Sequence, residues 1–124
     1  MSSKYILVPR GEGVFLGVDL MSRNVFGLIY DRWKLSNRFE NMDAFTDAQG
    51  TYCVYDRADL AADLGVSLPT VRKAIKSLID KGLLRAKRAG PCAAWRYYIT
   101  MTALYYLDDS MADMIGKSID PDEL

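Results

Sequence analysis

Residues 60–84, LAADLGVSLPTVRKAIKSLIDKGLL, constrain the fold more than any other segment of this 124-residue chain. Apolar residues recur at helical intervals on both sides of the short break GVS, which predicts two helices joined by a tight corner. The first helix is expected to end near Leu64 and the second near Lys81. Two helices that meet at a steep angle leave one face of the second helix exposed.

Capping residues stand at the ends of both predicted helices. Asp56 is in position to cap the first helix, and Gly65 supplies the backbone freedom that ends it. Ser67 is in position to cap the second helix, and Pro69 is tolerated in its first turn because an N–H there has no helical partner. Gly82 fits the C-terminal stop of the second helix.

The two helices have distinct inner and outer faces. The residues predicted to be buried are apolar or small, namely Leu60, Ala61, Leu64, Val71, Ala74, Ile75 and Leu78. The outer face of the second helix carries hydroxyl and basic side chains, namely Thr70, Arg72, Lys73, Lys76 and Ser77. We therefore expect this helix to present a cationic surface to solvent.

The flanking segments predict the remaining elements. SRNVFGLIYDRWKLS (22–36) reads as a helix with Ser22 as its N-cap, and its predicted buried side holds Val25, Phe26, Ile29, Tyr30 and Trp33. TYCVY (51–55) is a short strand, and LLRAKR and AWRYYIT are two strands joined by the loop AGPCA. Residues 4–9 are an extended arm or an edge strand, whereas residues 36–50 are polar and irregular up to the turn DAQG.

This order of elements predicts a winged helix-turn-helix. The fold class is α+β, mainly α, with a small antiparallel β-wing after the second helix of the corner. Residues 1–107 are expected to form this domain, and residues 108–124 an acidic C-terminal helix or linker. The helical spacing after residue 100 places Leu104, Leu107, Met111, Met114 and Ile115 on one side.

Charge is unevenly distributed along a chain whose net charge is zero. Residues 68–100 carry eight basic residues against one acid, Asp80, whereas residues 108–124 carry six acids against Lys117. Local fields govern contact with a polyanion, so the basic segment predicts a surface for nucleic acid. The bland alternative is that the charges form an ordinary solvated helix face.

The candidate DNA-binding residues are Ser67, Thr70, Arg72, Lys73, Lys76, Ser77, Arg85, Lys87, Arg88 and Arg96. Arg72 is the candidate for base recognition, with Thr70 beside it, because arginine bonds guanine bidentately. The side chains of Lys73, Lys76, Lys87 and Arg88 suit phosphates. Arg85 and Arg96 lie on the predicted wing strands, where register decides between a DNA contact and a structural role.

Other chemistry is weakly indicated. Trp33, Tyr30, Trp95, Tyr97 and Tyr98 could stack on bases, but core packing is the simpler interpretation, and alternation on the strand lets at most one of the last two face inward. Cys53 is expected to be a small core residue, and Cys92 has no assigned role. The chain has no histidine, the commonest general base, and we identify no catalytic, cofactor or metal-binding residues. We expect a cytoplasmic DNA-binding protein that is not an enzyme and does not contact membranes.

Three stretches carry a resemblance to a known family: VFGLIYDRWKLS, DAQGTYCVY and LAADLGVSLPTVRKAIKSLIDKGLLRAKRAG. They resemble the N-terminal DNA-binding domain of RepA-type plasmid replication initiators of low-GC Gram-positive bacteria, over residues 4–106. The resemblance implies a winged helix that binds repeated origin sites and helps load the host replication machinery through a further C-terminal domain. The loop NRFENMDAF is longer than the family pattern, so Arg38 and Phe39 receive no role.

Three functions remain open at this point. The first is sequence-specific binding of double-stranded DNA for replication initiation on a plasmid or mobile element. The second is transcriptional repression by the same fold, and the third is a protein-interaction winged helix of a replisome organiser. One helix-turn-helix covers few base pairs, so we expect a homodimer on DNA.

Overall fold

The computed structural model describes residues 6–36 and 43–107. The predicted acidic helix or linker at 108–124, with Met111, Met114 and Ile115, lies outside these residues, as do Arg38 and Phe39 of the long loop. The described elements, in chain order, are α1 (Leu20–Ser36), β1 (Thr46–Asp47), β2 (Gly50–Thr51), β3 (Cys53–Val54), α2 (Arg57–Leu64), α3 (Leu68–Asp80), β4 (Leu84–Lys87), β5 (Arg96–Ile99) and α4 (Met101–Leu107).

Helix α1 starts three residues earlier than predicted. The side chain of Asp19 accepts a hydrogen bond of 3.2 Å from the backbone N–H of Ser22. Ser22 itself lies inside the helix and is buried. The prediction of Ser22 as the N-cap is therefore wrong, because an aspartate three residues earlier supplies the cap that satisfies the orphan N–H groups.

The corner between α2 and α3 forms as the sequence predicts. Asp56 accepts a hydrogen bond of 2.7 Å from the N–H of Ala58 at the start of α2, and Ser67 accepts one of 3.4 Å from the N–H of Thr70 in α3. Gly65 ends α2 with a positive φ of 67°, a conformation that glycine adopts without a Cβ penalty. The N–H of Val66 then bonds the carbonyl of Ala61 and closes the turn.

The three-stranded antiparallel sheet, in the order β3-β5-β4, joins one strand that precedes the corner to the two strands that follow it. Its register places Ala86 opposite Tyr97 and Leu84 opposite Ile99, and this face packs on the helices. The opposite face carries Arg85, Lys87, Arg96 and Tyr98, because neighbouring strand residues alternate between faces. We call β4, the loop 88–95 and β5 the wing.

The hydrophobic core lies between α1, α2, α3 and the inner face of the sheet. Its largest fully buried side chains include Phe15, Phe26, Ile29, Leu60, Ile75, Leu78, Leu83 and Tyr97. Phe15 and Phe26 pack edge to face with ring centroids 5.0 Å apart, and the indole N–H of Trp33 donates to the carbonyl of Thr51 at 3.0 Å. The core role predicted for Trp33 is confirmed.

The irregular segment before the corner contains a small hairpin that the sequence analysis missed. Strands β1 and β2 pair antiparallel, with Asp47 opposite Gly50, and the hairpin covers the outer face of the sheet. Tyr97 alone joins the main core, as alternation predicts, but Tyr98 is also buried because the hairpin packs over it. Tyr52 contacts the Tyr98 ring edge to face, with centroids 5.9 Å apart.

The described part of the N-terminal arm, residues 6–9, belongs to no strand. It runs against α1 at a buried glycine, Gly27, where a Cβ would lie 2.8 Å from the carbonyl oxygen of Leu7. The side chain of Arg23 donates to the carbonyl of Pro9 at 3.2 Å and fixes the other end of the arm. Over residues 6–9 the structure shows no edge strand, the second of the two predicted alternatives.

Candidate nucleic-acid interface

The outer face of α3 is cationic and open to solvent. The side chains of Arg72, Lys73 and Lys76 are exposed, and Thr70 and Ser77 are half-buried beside them. Lys76 pairs with Asp80 one turn away at 3.2 Å, but both side chains are largely exposed, at 79% and 62%. An ion pair in that setting is screened by water and salt, so Lys76 remains available to an anion.

Two of the predicted DNA-binding residues are bonded to each other at the N-terminus of α3. The hydroxyl oxygens of Ser67 and Thr70 lie 2.8 Å apart, within hydrogen-bond distance, and Ser67 also caps the helix. This pair orients the first turn of α3, which is the part of a recognition helix nearest the base edges. The Ser67 hydroxyl that would contact DNA is therefore the same group that caps α3.

Two of the predicted phosphate contacts, Lys87 and Arg88, are neighbours on the wing. Lys87 and Arg88 are exposed at the end of β4 and the start of the loop, and the Arg88 guanidinium lies 4.8 Å from the centroid of the Trp95 ring. The structure therefore places these two predicted phosphate contacts at the wing, as the sequence analysis expected. Their binding of DNA stays a prediction.

A groove of about 440 Å³ separates the wing loop from the first turns of α2 and α3. Three arginines line it, one from each element: Arg57 from α2, Arg72 from α3 and Arg88 from the wing. Trp95 and Cys92 complete the wing side, and Asp56 lies at the α2 end. We call this the arginine groove. It brings together two residues that the sequence analysis selected and one that it did not.

Arg57 is the residue that sequence reasoning missed. Its guanidinium lies 3.8 Å from the centroid of the Trp95 ring, and its Nε donates to the buried Tyr97 hydroxyl at 3.0 Å. The charge pattern pointed to residues 68–100 and so passed over an arginine that begins α2. Only the pairing of β5 with β3, which brings Trp95 and Tyr97 to the start of α2, reveals its position.

Arg85 and Arg96 point toward the hairpin. Arg96 forms an ion pair of 2.9 Å with Asp47, and its guanidinium lies 4.4 Å from the centroid of the Tyr52 ring. Arg85 donates to the carbonyl of Gln49 at 3.0 Å. These contacts give both residues a structural role, so we do not include them in the proposed interface, and their binding of DNA stays untested.

Hydrogen bonds at Asp47 shift the pKa values of this cluster. The pKa of Asp47 is lowered, first by the hydrogen bond from Tyr98 and then by those from the Gln49 N–H and Arg96. The Asp47 carboxylate in turn raises the pKa of Arg96. Both shifts favour the charged pair, so Asp47 neutralises Arg96 at neutral pH.

The two cysteines have opposite environments, and both are free thiols. Cys53 is buried in the core as predicted, and burial raises its pKa to about 12. A thiol with such a pKa stays protonated at neutral pH and is a poor nucleophile. Cys92 is exposed on the wing loop.

Residues 57–85, which span α2, the corner, α3 and the start of β4, match the model of a family described as winged helix-turn-helix DNA-binding. With the antiparallel wing that follows, this match decides the fold. The chain is a winged helix-turn-helix domain. The predicted fold class, α+β with a small β-wing, is confirmed. None of the helices in the described part of the chain is both long and apolar enough to cross a membrane.

Solved structures share this winged helix over most of its length. One described as "N-Terminal domain of DNA binding protein" and one described as "Structure of Rep-DNA complex" are each 21% identical, cover 89% of this chain and 88% of their own, and superpose with a TM-score of 0.59. One described as "Structure of MDR initiator" is 22% identical, covers 87% of this chain and 89% of its own, and has a TM-score of 0.56. No curated protein sequence matches the chain. The structures confirm the resemblance to initiator domains at the level of the fold.

Proposed function

We propose that the winged helix binds double-stranded DNA sequence-specifically, with α3 in the major groove and the wing against the sugar-phosphate backbone. The observation that supports it most is the position of Arg72 and Arg88. They belong to different elements, yet they line the same groove, so the cationic faces of α3 and the wing adjoin. A single surface of this kind fits a duplex, whereas charges on opposite sides of the molecule would not.

Each residue of the proposed interface has a role in DNA binding. Arg72 recognises a base edge with Thr70 beside it, because both lie near the N-terminal end of α3. The exposed amines of Lys73, Lys76 and Lys87 bind phosphates, as does Arg88. Ser77 is half-buried one turn after Lys73 in α3, and its hydroxyl binds the sugar-phosphate backbone of DNA. Ser67 holds the first turn in place.

The biological role that we propose is origin recognition for replication of a plasmid or mobile element. Two observations support it: the likeness in sequence to RepA-type initiators, and the similar fold of structures described as a Rep-DNA complex and an MDR initiator. A homodimer on DNA would supply the length of site that one helix-turn-helix does not cover. Binding of host replication proteins would require a further C-terminal domain, as the resemblance to RepA-type initiators implies. We propose that the protein works by binding alone and is not an enzyme.

A transcriptional repressor would use the same surface, so the DNA target must separate the two roles. Selection from a random duplex library would give the bound motif, and nuclease footprinting would locate that motif in the DNA around the coding region. Protection of several direct repeats beside a partition gene supports origin recognition. Protection of one operator across a promoter supports repression instead. A third interpretation, a protein-interaction module, predicts that no sequence is enriched.

A matched pair of variants makes this experiment specific. Arg72→Glu reverses a charge on the outer face of α3, whereas Arg10→Glu reverses one at an exposed residue just after the N-terminal arm. The proposal predicts that the first variant enriches no motif and that the second recovers the wild-type motif. Equal behaviour of the two variants would contradict binding through α3. Sedimentation of the protein with the selected duplex tests the homodimer, which strictly 1:1 complexes would refute.

A further inference from the structure

The arginine groove contains a feature that the outer faces of α3 and the wing do not explain. Arg57 comes from α2, yet its guanidinium lies in the groove against Trp95, 3.8 Å from the ring centroid. The hydrogen bond that it makes to Tyr97 uses Nε. Within residues 6–36 and 43–107, its two terminal nitrogens have no hydrogen-bond acceptor, so that edge of the fork is open to a ligand.

A guanidinium held in this way is preorganised to bind an anion. Stacking on an aromatic ring and a hydrogen bond through Nε fix the plane of the group, so little rotamer entropy is lost when the terminal N–H groups bind. The fork of an arginine matches two oxygens of a phosphate in a bidentate geometry. Arg88 is also oriented by Trp95, with its guanidinium 4.8 Å from the same ring centroid. Trp95 therefore positions two cations.

The charge in the groove favours an anion over a cation or a neutral ligand. Arg57, Arg72 and Arg88 line it against one acid, Asp56. One oxygen of Asp56 already accepts the N–H of Ala58 as the N-cap of α2, at 2.7 Å. A volume of about 440 Å³ admits a phosphate group with part of its sugar.

We infer that the arginine groove binds a phosphate group, with Arg57 and Arg88 as its ligands beside the base-reading Arg72. The inference rests on the proposed function for the source of that phosphate, which is a phosphodiester of the bound duplex at the junction of recognition helix and wing. A free nucleotide offers the same chemistry, so the experiment must separate the two sources.

The fluorescence of Trp95 reports on the groove directly. The chain has two tryptophans, and Trp33 is buried away from the groove, so a Trp95→Phe variant supplies the signal of Trp33 alone. Wild-type protein is titrated with the selected duplex, with adenosine monophosphate and with inorganic phosphate. A change of Trp95 emission with the duplex alone assigns the groove to DNA. A change with the nucleotide or with phosphate at matched concentration assigns it to a free anion and overturns the DNA source.

Arg57→Ala then tests the residue itself. If Arg57 contacts a phosphate, the Arg57→Ala variant should bind the duplex roughly tenfold more weakly, with a log–log salt slope smaller by about 0.9. Arg57→Lys keeps the charge without the planar fork, so it should restore the salt slope but not the full affinity. Arg10→Ala is the matched control, because Arg10 is an exposed arginine that does not line the groove. Circular dichroism melts show whether each variant is folded.

The two proposals fail in different ways. Wild-type affinity and slope in Arg57→Ala, with weaker binding in Arg72→Ala, would overturn the groove inference and leave DNA binding by α3 intact. If Arg57→Ala has a lowered melting temperature, the Arg57→Lys variant separates the two roles. If Arg57 is purely structural, the salt slope and affinity of Arg57→Lys should recover or fall together with the melting temperature of that variant. Wild-type protein that binds no duplex at low salt would overturn the proposed function itself.

Discussion

The hydroxyl of Tyr98 donates a hydrogen bond of 2.6 Å to the carboxylate of Asp47, and Arg96 pairs with the same oxygen at 2.9 Å. Asp47 lies in the β1-β2 hairpin, whereas Tyr98 and Arg96 lie in β5 of the wing, about 50 residues later in the chain. The contact fastens the hairpin over the outer face of the sheet. It also neutralises Arg96, whereas its cross-strand partner Lys87 and the following residue Arg88 stay exposed and cationic.

Asp47→Asn should destabilise the protein in a manner that depends on pH. The pKa of Asp47 is lowered from its ordinary 3.8, so the folded state holds the ionised form more tightly than the unfolded state does. Its contribution to the free energy of unfolding is therefore full above that ordinary value and disappears as pH falls through the lower folded pKa. Urea unfolding between about pH 7 and pH 3 should show wild type and variant converging at the acid end.

The control for this prediction is Glu12→Gln, which removes an exposed carboxylate whose side chain makes no capping hydrogen bond. Its difference from wild type should be small at every pH. A constant destabilisation of Asp47→Asn over the whole range would contradict the ionic role of Asp47 and indicate a purely steric one.

Ser67 separates helix stability from DNA binding. Ser67→Ala removes the N-cap of α3 and should lower the free energy of unfolding by about 1 kcal/mol. Ser67→Asp keeps a capping oxygen and should retain that stability, but it places a negative charge at the end of α3 that faces DNA. Denaturant melts and binding assays on both variants measure the two effects. Wild-type DNA affinity in Ser67→Asp would show that this end of α3 lies away from the duplex.

Arg72→Ala should cost roughly 1–3 kcal/mol of binding free energy on the selected sequence and relax the preference at one base pair. The reason is that a bidentate arginine–guanine contact discriminates between bases, whereas a phosphate contact does not. Competition binding against single-base variants of the site locates the affected position. Equal losses on selected and random duplexes would make Arg72 a phosphate contact instead.

Lys87→Ala should weaken binding to all sequences alike. Lys87 is exposed at the end of β4, and the proposed docking of the wing places it against the sugar-phosphate backbone of DNA. Its removal should reduce the log–log salt slope by about 0.9 with no change in the selected motif. Repeating the selection with the variant checks this, and an altered motif would overturn the assignment.

Much of the fold could be predicted from the sequence because its signals are local. Asp56, Gly65 and Ser67 each act on backbone groups within a few residues, so their roles follow from their position between two apolar periodic segments. The buried positions of α3 follow from periodicity alone. The same logic failed at Ser22, where two good capping residues, Asp19 and Ser22, stand one turn apart and periodicity does not choose between them.

The missed features depend on contacts between distant segments. Strands β1 and β2 have two residues each, too few to show alternation, and their stability comes from Tyr98 and Arg96 across the sheet. Arg57 is an ordinary helix-starting residue until the fold brings Trp95 beside it. The charges of Arg85 and Arg96 were visible in the sequence, but which face they occupy depends on strand register.

The most direct test of the account is the salt dependence of duplex binding by the wild-type protein, compared with a variant that carries Lys73→Ala, Lys76→Ala, Lys87→Ala and Arg88→Ala. Four phosphate contacts predict a log–log slope of about −3.6 from these residues in each bound chain. The wild type should therefore lose affinity steeply as salt rises, and the variant should show a much flatter line. Binding that does not respond to salt, or slopes that are equal in the two proteins, would contradict a cationic DNA surface on α3 and the wing.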